Sequence, residues 1–376
     1  MPRNGQNNKK IVFVTGTDPT TVSGGIGFVM PAFLGGLDSV GFETRMIPTY
    51  KPDSFTGKWW PWMCGGVRLF ASILRGKLSG KSMVVYSHPG AVLALFRESL
   101  LLGFCRVLGV PTLMHVHAPE VDSYSEKKVG RLFLRLVFWS AQQVCVMTPW
   151  WEQRLEEQLG KDAKVIPDPM PESLAGEAEK CLNKAKSSSN LEQSESLQIC
   201  QILVVARLVE GKGIDKVIRS LPEMSNKVDL VIAGEGKQRR CLQSLVQELG
   251  LSDCVTFAGF VSGEEKYKLF KQSHIFCLPS RLDSFGMVFV EAMAYGLPVV
   301  ALNYQSTPYV VPHDKAGILV DKDDPESLAS ALDHLAQDPE LRAKLGKGGK
   351  QHVLEKFSQE VVGEKIRQVI SDLIPK

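Results

Sequence analysis

The sequence predicts an α/β protein built from two parallel-sheet domains, and three observations predict it. Short β-branched runs alternate with helix-length segments along the 376 residues, and one polar stretch interrupts the alternation near the middle. A chain of this length, 44% apolar and 23% charged, can bury two full cores. Strands joined by helical crossovers pair in parallel with right-handed connections.

In the first half, strands are expected at 11–15, 43–47, 83–87, 112–117, 143–148 and 164–166. Residues 172–198 have little to bury: they contain Lys184-Ala185-Lys186 and a serine run ending at Asn190, and read as a linker or mobile insertion. They separate a first domain at 1–171 from a second at 199–357. The second series places strands at 201–206, 229–233, 255–258, 275–278, 299–302 and 318–320, with closing helices at 326–337, 339–355 and 358–373.

Net charge is only +3, but residues 1–171 hold nineteen Lys and Arg against thirteen Asp and Glu. That excess suits an anionic partner or an anionic lipid surface, and equally a solvated charged face; it is too small for a nucleic-acid binder. Cys145, Cys200 and Cys277 sit in apolar strand-like runs without any Cys-x-x-Cys spacing, the pattern of buried free thiols in a reducing cytoplasm. The start of the chain is polar and basic, so no secretory signal is expected. The apolar stretches at 91–110 and 132–146 are interrupted by Arg97, Glu98, Arg106 and Arg135, so neither reads as a membrane span. Trp59, Trp60 and Trp62 lie near Lys51, Lys58, Arg68, Arg75, Lys77 and Lys81. Aromatics beside positive charge suit a lipid headgroup interface, and the alternative is packing under a loop.

The densest signal lies at 279–301. It reads as a strand end, a polar loop, a helix starting near Phe285 or Gly286, a stop at Gly296 and a buried strand from Val299. Ligands of open α/β sheets bind at strand carboxyl ends, where the next helix points free N–H groups and its positive dipole end, so an anion is expected here. Asp283 and Glu291 lie up to ~12 Å apart along the helix axis, too far to share a proton, and suit opposite ends of one elongated ligand.

Asp283 and Glu291 are separated by seven residues and followed by Ala292-Met293-Ala294 and Gly296-Leu297-Pro298-Val299-Val300. This arrangement resembles the retaining GT-B glycosyltransferases of family four (glycosyl transferases group 1), which use nucleotide-sugar donors. That family usually has Glu at the first position, so Asp283 is shorter by one methylene. Ala206-Arg207-Leu208-Val209-Glu210-Gly211-Lys212-Gly213 is similar to the family's strand-end Arg and loop Lys. The resemblance is strong over 200–375 and weak over the first 170 residues.

The resemblance implies a GT-B fold: two Rossmann-like parallel-sheet domains facing a central cleft, with residues 358–376 returning to the N-terminal domain. Donor would bind the C-terminal domain and acceptor the N-terminal one. Arg207 and Lys212 would hold the diphosphate; fixed cations there stabilise the departing phosphate and can replace a metal. Asp283 would meet the sugar hydroxyls and Glu291 the ribose. Backbone groups of Ser284, Phe285, Gly286, Met287 and Val288 would meet the sugar or phosphate, and Gly234, Gly236, Gly259, Phe260 and Val261 would line the nucleotide. Gly25 and Gly27, in the glycine-rich turn after the first strand, would face donor phosphate, the alternative being a plain tight turn. His117, at a strand's carboxyl end on the same face as His115, would lie near the reacting sugar.

No metal or other cofactor is expected. Asp321-Lys322-Asp323 matches an Asp-x-Asp pattern, but Asp323-Asp324-Pro325 reads as a helix start. His115 and His117 have no evident ligating partner in the sequence. The expected function is transfer of a sugar from a UDP-sugar or GDP-sugar to a glycan or lipid-linked hydroxyl with retention, in the cytoplasm and peripherally on the inner membrane face. The alternatives are a GT-B-like nucleotide-sugar epimerase and a non-catalytic nucleotide- or glycan-binding subunit.

Overall fold

The computed structural model describes residues 10–20, 25–51, 59–187 and 199–374, so Ser23, Gly24 and Lys58 lie outside the described residues. The chain divides into two units, Met1–Pro171 with Lys356–Lys376, and Glu172–Glu355.

Unit 1 runs β1 (Ile11–Thr17), α1 (Gly25–Ser39), β2 (Glu43–Tyr50), α2 (Trp60–Leu78), β3 (Met83–Ser87), α3 (Val92–Val107), β4 (Thr112–Val116), α4 (Val121–Glu126), α5 (Lys128–Trp139), β5 (Gln143–Val146), α6 (Pro149–Leu159) and β6 (Ala163–Val165). Its six strands are parallel in the order β2-β1-β3-β4-β5-β6. β1, β3 and β4 are buried almost throughout, because helices cover both sheet faces. The step from β1 to β2 runs one way across the sheet and every later step runs the other, so right-handed crossovers put α1 on one face and α2, α3 and α5 on the opposite one.

Unit 2 runs α7 (Glu172–Ser187), β7 (Cys200–Val205), α8 (Ile214–Ser220), β8 (Val228–Ala233), α9 (Arg239–Glu248), β9 (Val255–Gly259), α10 (Gly263–Gln272), β10 (Ile275–Cys277), α11 (Met287–Ala294), β11 (Val299–Leu302), α12 (Thr307–Val310), β12 (Gly317–Val320), α13 (Pro325–Gln337) and α14 (Pro339–Phe357). Its six parallel strands are ordered β12-β11-β10-β7-β8-β9. The order reverses between β7 and β10, which creates a topological switch point at their carboxyl ends.

After α14 the chain closes unit 1 with α15 (Gln359–Leu373), which packs on α1. Gly36 permits that approach, since a Cβ there would come 2.7 Å from the Gln359 carbonyl oxygen. Met170 N–H donates to the Phe357 carbonyl at 2.7 Å, joining the two segments of the unit.

The reading of 172–198 as a linker is corrected over its first part. Residues 172–187 form α7, with Leu174 and Ala178 fully buried one helical turn apart; residues 188–198 lie outside the described set. The second unit accordingly starts at Glu172 rather than 199 and ends at Glu355. The helix expected near Phe285 or Gly286 begins at Met287, because Gly286 takes φ 88° as its N-cap and is not itself helical.

Candidate functional site

The switch point of unit 2 brings together the loops after β7 and β10. Lys212, on the first loop, is buried, and its ammonium donates to both carboxylate oxygens of Asp283 on the second at 2.7 and 2.8 Å. Backbone geometry makes the meeting possible. Gly211 and Gly213 have φ of 84° and 70°, and a Cβ on Gly213 would stand 2.5 Å from the Pro279 carbonyl oxygen. Arg281 N–H then donates to the Gly211 carbonyl at 2.8 Å, lacing the loops together. Arg207 is exposed at the mouth of the first loop and makes no ion pair among the described residues.

Gly286 caps α11, whose N-terminus opens beside Asp283; a Cβ on Gly286 would meet the Phe289 ring at 2.5 Å. Ser284, Met287 and Val288 are half-buried, while Phe285 packs inside. Glu291 is buried further along α11, and Lys266 of α10 places its ammonium 2.7 and 2.6 Å from the two carboxylate oxygens. Burial raises the Glu291 carboxyl above its ordinary range, and the Lys266 charge partly offsets this. Lys266 was missed in the sequence. A lysine directly after the Glu264-Glu265 pair looks like a solvated helix charge until the fold brings Glu291 beside it.

The remaining predicted residues of unit 2 border the same sheet edge. Gly234 and Gly236 follow β8 and lie against the backbone of Ala206 and Leu208; Gly234 N–H donates to the Gly259 carbonyl at 2.6 Å. Gly259 has φ 75°, Phe260 is 73% exposed and Val261 is half-buried. Asp321 accepts a hydrogen bond from the Asn303 amide at 2.7 Å, and Asp323 pairs with Lys216 at 2.5 Å and Arg281 at 2.6 Å. Asp324 caps α13 by accepting from Ser327 N–H at 2.8 Å. The Asp-x-Asp carboxylates thus have partners that serve loop and helix structure.

In unit 1, His117 follows β4 at its carboxyl end and is only 5% exposed. Its Nε2 shares a hydrogen bond with Nδ1 of His88, which follows β3, at 3.1 Å, and its Nδ1 lies 3.4 Å from Asp168. His115 Nδ1 shares one with the Tyr86 hydroxyl at 2.8 Å. Phe33 of α1 packs over the group, its ring centroid 4.6 Å from that of His88. Burial drives His117 down to about 3 and His88 and His115 well below their ordinary value, so the imidazoles are neutral; burial also lifts Asp168 to about 7. Ligating atoms of the three histidines lie within 4.8 Å of one another. The sequence reading found no ligating partner for His115 and His117; His88, brought in from the neighbouring strand, places a third imidazole within reach of both. Gly27 is buried and Gly25 exposed at the start of α1, with open space around a Cβ at Gly25. Glu98 accepts from Thr15 at 2.7 Å and Ser87 at 2.9 Å, tying the ends of β1 and β3. His88, Asp168 and Glu98 were all missed, and Tyr86-Ser87-His88-Pro89-Gly90, a strand end with turn residues, was the available signal for the first.

A buried lysine paired with a half-buried carboxylate thus stands at the switch point beside a helix N-terminus, the place where open α/β sheets take their ligands. Residues 192–352 match the glycosyl transferases group 1 family. Among curated proteins, an uncharacterized glycosyltransferase of Methanocaldococcus jannaschii is 36% identical over 165 residues, 43% of this chain and 42% of that protein. A GDP-mannose-dependent alpha-(1-6)-phosphatidylinositol monomannoside mannosyltransferase of Mycobacterium tuberculosis is 31% identical over 175 residues, 44% of this chain and 46% of that one. The matches thus span less than half the length of these relatives. Among solved structures, sucrose-phosphate synthase of Thermosynechococcus elongatus aligns with TM-score 0.75 at 20% identity, covering 97% of this chain and 99% of that one. Anabaena HepE in complex with UDP and glucose aligns with TM-score 0.69 at 16% identity, covering 97% and 100%. The chain has the GT-B fold, and the stretch that matches the glycosyl transferases group 1 family lies within its second unit.

Proposed function

We propose that this protein transfers a sugar from a nucleotide-diphosphate donor to a hydroxyl acceptor with retained anomeric configuration. The observation that carries the reading is the Lys212–Asp283 pair at the switch point of unit 2. A donor diphosphate would take the Lys212 ammonium and the α11 N–H groups, with Arg207 closing over it, while Asp283 turns to the sugar hydroxyls and Glu291 to the ribose. In the transfer, the bond from the anomeric carbon to the diphosphate breaks, the acceptor oxygen bonds to the same face, and its proton passes to the leaving phosphate oxygen. The cations supply the charge that a metal would otherwise provide. In unit 1, His88, His117 and Asp168 act as positioning residues for the acceptor side, and Gly25 and Gly27 let the α1 N-terminus approach a ligand.

The donor is a UDP-sugar or GDP-sugar: HepE is described with UDP, and the mycobacterial relative is named for GDP-mannose. The acceptor is a glycan or a lipid-linked precursor, in keeping with the phosphatidylinositol mannoside named for that relative. Work on the inner membrane face, in a reducing cytoplasm, fits the buried free thiols Cys105, Cys145, Cys200 and Cys277. No helix of the described residues is long and apolar enough to cross a membrane, so attachment would be peripheral. The test is donor consumption by purified protein given UDP- and GDP-sugars with and without candidate acceptors. Acceptor-dependent release of nucleoside diphosphate supports transfer, acceptor-free interconversion of sugars would make it an epimerase, and binding without turnover would make it a binding subunit.

A further inference from the structure

Unit 1 carries a large apolar surface that its own core does not use. α2 turns Gly65, Leu69, Ile73 and Gly76 inward, yet on its outer side Val67, Leu74 and Leu78 are 70%, 50% and 82% exposed. α5 repeats the pattern, with Leu134, Val137 and Phe138 inside and Val129, Leu132, Leu136 and Trp139 outside. α3 packs against both helices, and the outer faces are continuous: Phe70 of α2 and Phe104 of α3 have ring centroids 5.5 Å apart, and Phe96 of α3 and Phe133 of α5 are 6.4 Å apart. Sixteen of the twenty exposed large hydrophobic residues among those described belong to these three helices and the N-cap Trp59. A surface helix normally sets polar residues opposite its core stripe, and soluble monomers rarely expose so continuous a patch, so this face is built to be covered.

Charge selects what covers it. α2 and α5 contain no Asp or Glu, and the one carboxylate of α3, Glu98, is buried. Arg68, Arg75, Lys77, Lys128 and Arg135 are exposed on the same helices. Beneath Trp59, whose ring lies 5.9 Å from the guanidinium carbon, Arg97 is buried with Nε and Nη1 lacking hydrogen-bond partners among the described residues. A second copy meeting this face symmetrically would set cations against cations. Trp59, Trp60 and Trp139 supply the aromatic bodies that favour the headgroup level, and aliphatic side chains between basic residues are the composition of an interfacial surface.

We infer that the α2–α3–α5 face of unit 1 seats on an anionic lipid bilayer, its apolar side chains entering the headgroup boundary and its Lys and Arg lying among the phosphates. The inference extends the peripheral attachment proposed above from the tryptophan cluster to a whole three-helix face. It rests on the transferase reading only in making that bilayer the place where the acceptor is met.

Vesicles of phosphatidylcholine with graded phosphatidylglycerol test it by co-sedimentation, using the intact chain, V67D/L74D on α2 and L132D/L136D on α5. Wild-type binding should rise with phosphatidylglycerol and fall with salt, and each double substitution should cut the bound fraction at least about tenfold, since each removes two large apolar side chains from the contact. Thermal midpoints of both variants should match wild type, because the positions are exposed. Wild type that ignores the vesicles at low salt, or binds pure phosphatidylcholine equally well, overturns the inference. Self-association of wild type that both variants abolish, without vesicle binding, also overturns it and assigns the face to a second copy. Donor turnover with a water-soluble acceptor is followed in parallel: turnover without vesicle binding sinks the docking face alone, and vesicle binding without turnover sinks the transferase reading alone.

Discussion

Lys212 and Asp283 lie 71 positions apart in the chain and meet as a bidentate pair, with side chains only 8% and 20% exposed. Two residues read separately as diphosphate and sugar contacts therefore hold each other in place. Lys212→Ala leaves a partly buried carboxylate uncompensated and should cost about 1–3 kcal/mol of stability, discounted for the solvent still reaching Asp283. The double change with Asp283→Ala should cost less than the two single changes added together. Urea titration of the three variants measures this; strict additivity would mean the pair is not coupled.

Arg207 separates catalysis from folding, being exposed and unpaired among the described residues. Arg207→Ala should leave the unfolding free energy from urea titration within about 0.5 kcal/mol of wild type and slow donor turnover about 10²- to 10³-fold. Unchanged turnover would remove Arg207 from the diphosphate.

Glu291→Gln should weaken nucleoside diphosphate binding measured by calorimetry, since it discharges the carboxylate assigned to the ribose and strands the Lys266 ammonium. A product complex with the ribose remote from Glu291 would reverse the proposed donor orientation.

The unit 1 cluster makes stability depend on pH in two opposed ways. Asp168 ionises at about 7 when folded and near 3.8 when unfolded, so its contribution is fully present below about pH 4 and is lost as pH rises through 7. His117 accepts a proton only at about 3 when folded and near 6.5 when unfolded, so its contribution is present above 6.5 and is lost as pH falls toward 3. Asp168→Asn removes the first effect alone. The stability of this variant relative to wild type should therefore rise between pH 4 and pH 8, by at most about 4 kcal/mol. A constant difference across that range would show that Asp168 is already ionised in the folded state.

Donor turnover should persist in EDTA, since cations line the proposed diphosphate site and Asp321 and Asp323 are engaged by Asn303, Lys216 and Arg281. Complete loss on chelation, restored by magnesium or manganese, would require a metal route and would turn attention to the three neighbouring histidines of unit 1.

The parallel strands were legible because strands covered on both faces become nearly continuous apolar runs, as in Ile11–Val14 and Val299–Leu302. Arg207, Lys212, Asp283 and Glu291 could be picked out by type and spacing. Their partners could not: the Lys266–Glu291 and His88–His117 pairs are made by strand order and loop closure, which no local pattern encodes. α7 was hidden for a different reason. Eight of its sixteen residues are Glu, Lys or Ser, while only the four-residue spacing of Leu174 and Ala178 signals its buried side.

The docking of α15 on α1 through Gly36 also has a consequence for biosynthesis. Unit 1 is discontinuous, so its first 171 residues leave the ribosome long before the segment that completes it, whereas Glu172–Glu355 emerges as one uninterrupted stretch. During synthesis the second unit can finish folding while α1 still waits for its partner helix. A stop codon before residue 359 would therefore damage the fold of unit 1, most of which is made before unit 2.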